Sequence, residues 1–260
     1  MKKETNSSEE KNDLWEADNY IKMPFYNSKI EEDKEFQLII KGLEGIKTHH
    51  MVLDLGGGTG LYGSHICDLI KGKKSICYDT SEDMLSIAKD FPNVEIVNND
   101  MEFALKNEKE KGNIFSVILF KGSFHLNQKS FLEKLEDFMK TNLDGKLMIV
   151  GRLNPVDMEE ELPFPKKALE KWNNYPLSIK DALEYFKNRN YETTWSMTRI
   201  YLNYSYDQFR TFFTKKCWSI FQDMSDEELE SEFLRIIGDK KEIGYNDDVY
   251  MLTVESKLNN

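Results

Sequence analysis

Cysteine and histidine are scarce in this chain and basic residues are outnumbered by acidic ones, and each shortage narrows what it can be. The three cysteines (Cys67, Cys77, Cys217) are odd in number, widely spaced and without a C-x-x-C pair. That excludes a disulfide framework and points to buried reduced thiols. The four histidines show no metal-ligand spacing with acids or cysteines, and no Ser/His/Asp arrangement, so no metal is expected. No run approaches the roughly 18 apolar residues that cross a bilayer. Residues 1–13 are polar, read as a disordered tail and offer no signal peptide; the sequons at Asn6 and Asn203 are accordingly read as carrying no glycan. Lys and Arg number 35 against 46 Asp and Glu, a net charge of −11. Phosphate backbones and anionic membranes need clustered cations, so neither a nucleic acid nor a membrane is an expected partner. The expectation is a soluble, cytoplasmic protein.

What the chain does have is enough apolar material for a core, at 40% hydrophobic and 12% aromatic residues. Its 260 residues fit one large domain or a core with a substantial lid. Apolar residues at helical spacing predict a helix over 28–47. Short apolar runs then predict strands at 50–55, 74–78, 94–97, 115–120 and 146–151, with helices between them at 60–71, 81–90, 101–109 and 128–142. This alternation is the mark of right-handed βαβ crossovers and a parallel sheet. After Gly151 the pattern changes: a proline-bearing segment, a short helix over 166–173, and a capping box at Ser178 and Asp181 opening a helix to 187. A strand is predicted at 193–203, capped helices start at Ser205 (with Gln208) and Ser225 (with Glu228), and an alternating strand closes the chain at 249–255.

The stretch Met51-Val-Leu-Asp54-Leu-Gly56-Gly57-Gly58-Thr-Gly60 is the most informative. A buried strand breaks into four glycines, where the backbone can turn and a ligand can lie against it. A helix follows, so the turn also presents N–H groups and a positive helix end, a site for a nucleotide or nucleoside. Two registers fit. Gly58-x-Gly60-x-x-Gly63 matches the dinucleotide fingerprint, with Asp79 about 20 residues on as the ribose acid. It leaves Gly56 and Gly57 between strand and turn, and gives Asp54 no task.

The second register is Asp54-x-Gly56-x-Gly58-x-Gly60, and here the sequence resembles the class I S-adenosylmethionine-dependent methyltransferases of small-molecule type. Ile76-Cys-Tyr-Asp79-Thr80-Ser-Glu-Asp-Met84 resembles their second motif. Asn99-Asp100-Met101 stands where the family places an adenine-contacting acid, Phe115 to Leu126 is similar to the fourth motif, and Asn142-Leu-Asp-Gly145 matches the turn into strand five. The resemblance spans about 50–151 and resumes at the last strand. It implies a doubly wound, mostly parallel seven-stranded Rossmann-like α/β sheet, the last strand antiparallel, with helices on both faces and a helical lid. Residues 14–260 would form one domain, with its core at 29–151, 178–203 and 249–257 and its lid at 14–28, 152–177 and 205–240.

By that resemblance the cofactor is S-adenosylmethionine, bound by Tyr26, Asp54, Gly56, Gly57, Gly58, Gly60, Asp79, Thr80, Met84, Asp100, Met101, Phe120 and Lys121. Asp79 would accept both ribose hydroxyls, Asp100 the adenine amino group, and the Phe120 carbonyl the ammonium, while the glycine-turn amides would take the carboxylate. Each acid also has a plainer reading: Asp79 and Asp100 as helix caps, Asp54 as a brace for the glycine loop. His125, after strand four, is the candidate catalytic base, although the family often shows two adjacent histidines and this chain has His125-Leu126; a packing or hydrogen-bonding role is the alternative. Lys121 is read either as gripping an acidic group or as a solvent-facing lysine, and His49 and His50 as bland.

The implied activity is in-line methyl transfer to an O, N or C nucleophile of a small-molecule acceptor, by a monomer or homodimer. Substrate choice falls to Trp15, Tyr20, Phe25 and Tyr26, to Arg152-Leu-Asn154-Pro155, and to the aromatic segment 201–221, with Arg199 and Arg210 as candidate anion grips. A nicotinamide-dependent oxidoreductase and a non-catalytic S-adenosylmethionine-binding protein are the rival readings.

Overall fold

The computed structural model describes residues 17–26, 29–158 and 162–256. The tail over 1–13 and Trp15 lie outside the described residues. After a short helix α1 (Ala17–Tyr20), α2 (Lys34–Gly42) is opened by Asp33, whose carboxylate accepts from the Glu35 and Phe36 amides. Strand and helix then alternate: β1 (Met51–Leu55), α3 (Leu61–Leu69), β2 (Ser75–Asp79), α4 (Glu82–Ala88), β3 (Val94–Asn98), α5 (Met101–Glu110), β4 (Phe115–Lys121), α6 (Phe131–Asn142) and β5 (Leu143–Gly151). The remainder is α7 (Lys166–Asn173), α8 (Ile179–Lys187), β6 (Thr193–Ser205), α9 (Tyr206–Thr214), α10 (Asp226–Ile237) and β7 (Glu242–Glu255).

The strands form one seven-stranded sheet in the order β3-β2-β1-β4-β5-β7-β6. β1 to β5 pair in parallel, and β7 lies antiparallel between β5 and β6. Central strands are buried on both faces, which is why they read as continuous apolar runs. Alternate side chains face opposite layers: Leu53, Leu55, Tyr78 and Phe120 join one core, with side chains of α5, α6 and α8. Val52, Val117 and Leu119 join another, with α2 and α3. All three capping boxes form, at Ser178, Ser205 and Ser225. Cys67, Cys77 and Cys217 are buried, and none is in a disulfide. Among the described residues no helix is long and apolar enough to cross a membrane.

The structure departs from the sequence reading at the last hairpin. β7 begins at Glu242, not 249, and pairs with β6 from Thr193↔Val254 to Ser205↔Glu242. The early half of β7 looks like a polar loop, Gly-Tyr-Asn-Asp-Asp. Its inward positions are nevertheless Ile243, Tyr245, Asp247 and Val249, all buried, and the buried Asp247 is what breaks the apolar pattern. This long hairpin carries a further core of its own. Tyr204, Phe209, Phe212, Phe213 and Phe221 of the expected lid segment are fully buried there, while Tyr201 is 64% exposed. Most of that aromatic segment is therefore ordinary core.

Candidate active site

The cavity lies where open α/β sheets bind ligands, outside the carboxyl ends of the strands and across the β1/β4 junction where strand order reverses. It holds about 430 Å³, within the range of a cofactor cleft. Of the residues singled out in the sequence, Tyr26, Asp54, Gly56, Gly57, Gly58, Asp79, Thr80, Met84, Asp100, Met101 and Lys121 line it.

Two expected residues do not. Gly60 caps α3 at φ +70°, behind the wall, where a Cβ would stand 3.0 Å from that of Ala88. Phe120 is buried edge-on to Phe124 and Phe131, and the residues that reach the cavity are the next three, Lys121, Gly122 and Ser123.

The glycine turn is held by its own amides. Gly56 and Gly57 both donate to the Tyr78 carbonyl at the end of β2 (2.8 and 3.2 Å), and Gly60 donates to the Gly57 carbonyl. Gly58 donates to Asp79 Oδ2 at 2.9 Å. The turn thus folds back onto β2, with these amides engaged by the protein itself. Gly56 is required where it stands: its φ is +67°, and a Cβ would meet that of Ser123 at 2.4 Å.

Asp79 braces the start of α4 and also faces the cavity. Oδ1 accepts from the Ser81 amide ahead of α4 and Oδ2 from Gly58, yet the carboxylate still lines the cavity with lone pairs to spare. Burial raises it from the ordinary aspartate value, and those N–H groups hold it back. Asp100 likewise caps α5 through Phe103 N–H (2.7 Å) while lining the cavity. Asp54 is 1% exposed, and neither of its oxygens meets a hydrogen-bond donor in good geometry among the described residues. Burial first, then the Asp79 charge, pushes it up to about 7, with Gly63 and Lys121 offsetting only in part.

Lys121 does not point to solvent. Its ammonium lies 2.9 Å from Glu35 Oε2 and over the Tyr62 ring at 4.8 Å. Glu35 Oε1 accepts from Arg152 at 2.9 Å, and Arg152 also grips Asp247 with two nitrogens, Nε lying 2.8 and 2.9 Å from its oxygens. Two cations and two carboxylates thus alternate in one buried chain. Their attraction outweighs desolvation, leaving Glu35 below the usual carboxylate range and Lys121 above the usual lysine value. The sequence pointed to Lys121 and Arg152 and missed Glu35 and Asp247, which sit on α2 and β7 without any local signal. Arg199 and Arg210, by contrast, pair with Asp248 and Glu230 at exposed positions away from both cavities.

At Lys121, Gly122, Tyr20 and Leu126 the first cavity meets a second, of about 130 Å³. His125 lies in its wall. Its Nε2 is 3.2 Å from Ser219 Oγ, which is 2.6 Å from the Tyr175 hydroxyl, and the His125 and Tyr175 rings lie 4.4 Å apart. Burial, aided by the Arg152 charge, lowers His125 to about 4. It is therefore a neutral hydrogen-bonding group at neutral pH. His49 and His50 sit at the opposite end of β1, against the Ile70 carbonyl and Asp144.

No family model matches the sequence, and no curated protein matches it. Solved structures do match. The YcgJ protein from Bacillus subtilis superposes with a TM-score of 0.54 at 13% identity, over 85% of this chain and 97% of that one. The plantazolicin methyltransferase BpumL in complex with SAH gives 0.52 at 19% identity, over 96% of this chain and 92% of that one. A second structure of that enzyme, with SAH and a pentazolic desmethylPZN analog, gives 0.50 at 18% identity over 87% of each chain. The dinucleotide-binding sheet runs 3-2-1-4-5-6, whereas here an antiparallel β7 is inserted beside β5. The chain has a Rossmann-like methyltransferase fold.

Proposed function

We propose that this protein transfers a methyl group from S-adenosylmethionine to an O, N or C nucleophile of a small molecule. The observation that carries the reading is the pairing of two joined cavities. One is a cleft of about 430 Å³ with an acid at the end of β2 and a glycine turn at the end of β1; the other is a smaller cavity opening from it at Lys121. A cofactor-sized cleft beside an acceptor-sized one is what a group transfer between two bound molecules requires. The likeness in fold to a methyltransferase solved in complex with SAH and a pentazolic desmethylPZN analog supports a site for two molecules.

The residues present fit the cofactor. Asp79 keeps acceptor capacity for ribose hydroxyls, and Asp100 for an exocyclic amine. Met84 and Met101 give apolar sides for an adenine, and Tyr26 lines the cleft beside the turn, its hydroxyl 3.5 Å from Thr59 Oγ1. Asp54 backs the glycine turn by packing: a Cβ on Gly57 would meet its Oδ2 at 2.5 Å. When bound, S-adenosylmethionine supplies a methyl carbon that its sulfonium already makes electrophilic, so the protein's task is alignment and exclusion of water. His125 is the group placed to touch the acceptor. Held low, it is a weak base, and it serves the nucleophile by accepting or donating a hydrogen bond.

The domain division follows from the same reading, with the lid reduced to what reaches the cavities: residues 17–26, 152–154, 172–175 and 217–220, over a core that includes α9, α10 and the whole β6–β7 hairpin. Calorimetric titration tests the function. S-adenosylhomocysteine, the product form of the cofactor, should bind and NADH should not. NADH binding without S-adenosylhomocysteine binding would install the dinucleotide reading in its place.

A further inference from the structure

The second cavity's walls say what kind of acceptor it takes, an inference that rests on the function proposed above. Six aromatic side chains line it, Tyr20, Phe25, Phe124, Trp172, Tyr175 and Trp218. Its volume of about 130 Å³ is close to that of an apolar cavity of about 150 Å³ that takes one benzene ring. Two cationic side chains border it, Lys121 and Arg152, and both are matched from behind by Glu35 and Asp247 at 2.8 to 2.9 Å. Among the described residues no carboxylate lines this cavity. A charged group entering would find no free counter-charge, and burying a charge without one is expensive. Its other polar side chains are uncharged, Asn154 and Ser178 among them, and three form one cluster: Tyr175, Ser219 and His125, joined by contacts of 2.6 and 3.2 Å. A group that both donates and accepts one hydrogen bond matches them.

We propose that the second cavity holds a single uncharged six-membered aromatic or heteroaromatic ring bearing a hydroxyl, stacked among Tyr20, Trp172 and Trp218 with its hydroxyl toward the His125–Ser219–Tyr175 cluster. The acceptor is such a molecule, or a larger one that presents such a ring at its end. Trp218 is the wall that matters most. It stacks edge-on to Trp172 (centroids 5.7 Å apart, planes at 87°), and the Arg152 guanidinium lies 5.2 Å over its ring. The paired guanidinium and the aromatic wall are thereby one unit.

Saturation-transfer difference NMR tests this without turnover, using phenol, benzoate and benzylammonium as probes on the full-length protein. Phenol should bind. Both charged rings should bind at least about tenfold more weakly, because neither meets a free counter-charge. Trp218→Leu should weaken phenol at least about tenfold through the lost ring contact, and Tyr175→Leu, on a different segment, serves if that variant does not fold. A charged probe binding as well as phenol, phenol binding that neither variant changes, or no phenol binding overturns the proposal. Calorimetry with S-adenosylhomocysteine separates this from the reading beneath it. Cofactor heat without a phenol signal removes the ring site alone. Phenol binding that depends on Trp218 without cofactor heat keeps the ring site and removes the cofactor.

Discussion

Replacing Asp54 with asparagine should change how stability depends on pH, and in a direction opposite to that of ordinary carboxylates. Asp54 is buried behind the glycine turn without a well-formed hydrogen bond, and is pushed up to about 7 from an ordinary value near 3.8. In the unfolded chain it loses its proton near pH 4; in the native protein it keeps it to about pH 7. Between those limits the native state binds more protons than the unfolded one, so stability falls as pH rises. Each pH unit in that window costs about 1.4 kcal/mol, or about 4 kcal/mol across the whole of it. Below the window nothing is lost, and above it the loss is complete. The asparagine side chain would place a neutral group of the same shape there at every pH. The stability of Asp54→Asn relative to the parent should therefore climb by about 4 kcal/mol between about pH 4 and pH 8. Urea denaturation of both proteins at a series of pH values measures it, and titrating groups that do not interact with Asp54 cancel in the difference. The fit of the amide itself shifts the whole curve and leaves its slope alone. A difference independent of pH would show that Asp54 ionises normally in the native protein, and the picture of an unpartnered buried acid would fall.

His125→Gln should show the opposite slope. The histidine is lowered to about 4, so the unfolded chain takes up its proton first as pH falls from about 6.5; stability is lost from there down to about pH 4, by about 3 kcal/mol. The glutamine variant should lack that loss, and parallel curves in urea would refute it. Arg152→Leu leaves Glu35 and Asp247 buried without their shared cation and should cost about 3–5 kcal/mol; a thermal-melt change worth under about 1 kcal/mol would mean the network behaves like a surface pair. Gly56→Ala places a methyl group against Ser123 at positive φ. It should destabilise by about 2–4 kcal/mol from strain and overpacking together, and an unchanged urea midpoint would count against the turn geometry.

The parallel half of the sheet was legible because each buried strand writes a continuous apolar run and each crossover helix writes its own period. Asp79 and the glycines at 56, 57 and 58 were legible because their chemistry is local: an acid at a strand end, and a turn that only glycine makes. What could not be read was assembled across the fold. Glu35 sits in a helix between Lys34 and Phe36 like any surface glutamate, and only the packing of α2 over β4 and β5 brings it to Lys121 and Arg152. Asp247 stands in Asn-Asp-Asp and reads as loop until β6 pairs with it. Ser219 and Tyr175 join His125 from segments 44 residues apart in the chain. Gly60 and Phe120 stand outside the cavity lining for the converse reason: a linear motif does not say which of its members face a cavity and which stand behind its wall.

The central claim is that the cleft at the ends of β1, β2 and β4 binds S-adenosylmethionine through Asp79. The most direct measurement is the calorimetric affinity of S-adenosylhomocysteine for the parent protein and for Asp79→Ala, with circular dichroism to show both folded. The account predicts binding by the parent and a loss of about 1–3 kcal/mol in the variant, through charge-assisted hydrogen bonds to the ribose. Equal affinity in the two proteins, or no binding by the parent, would contradict it.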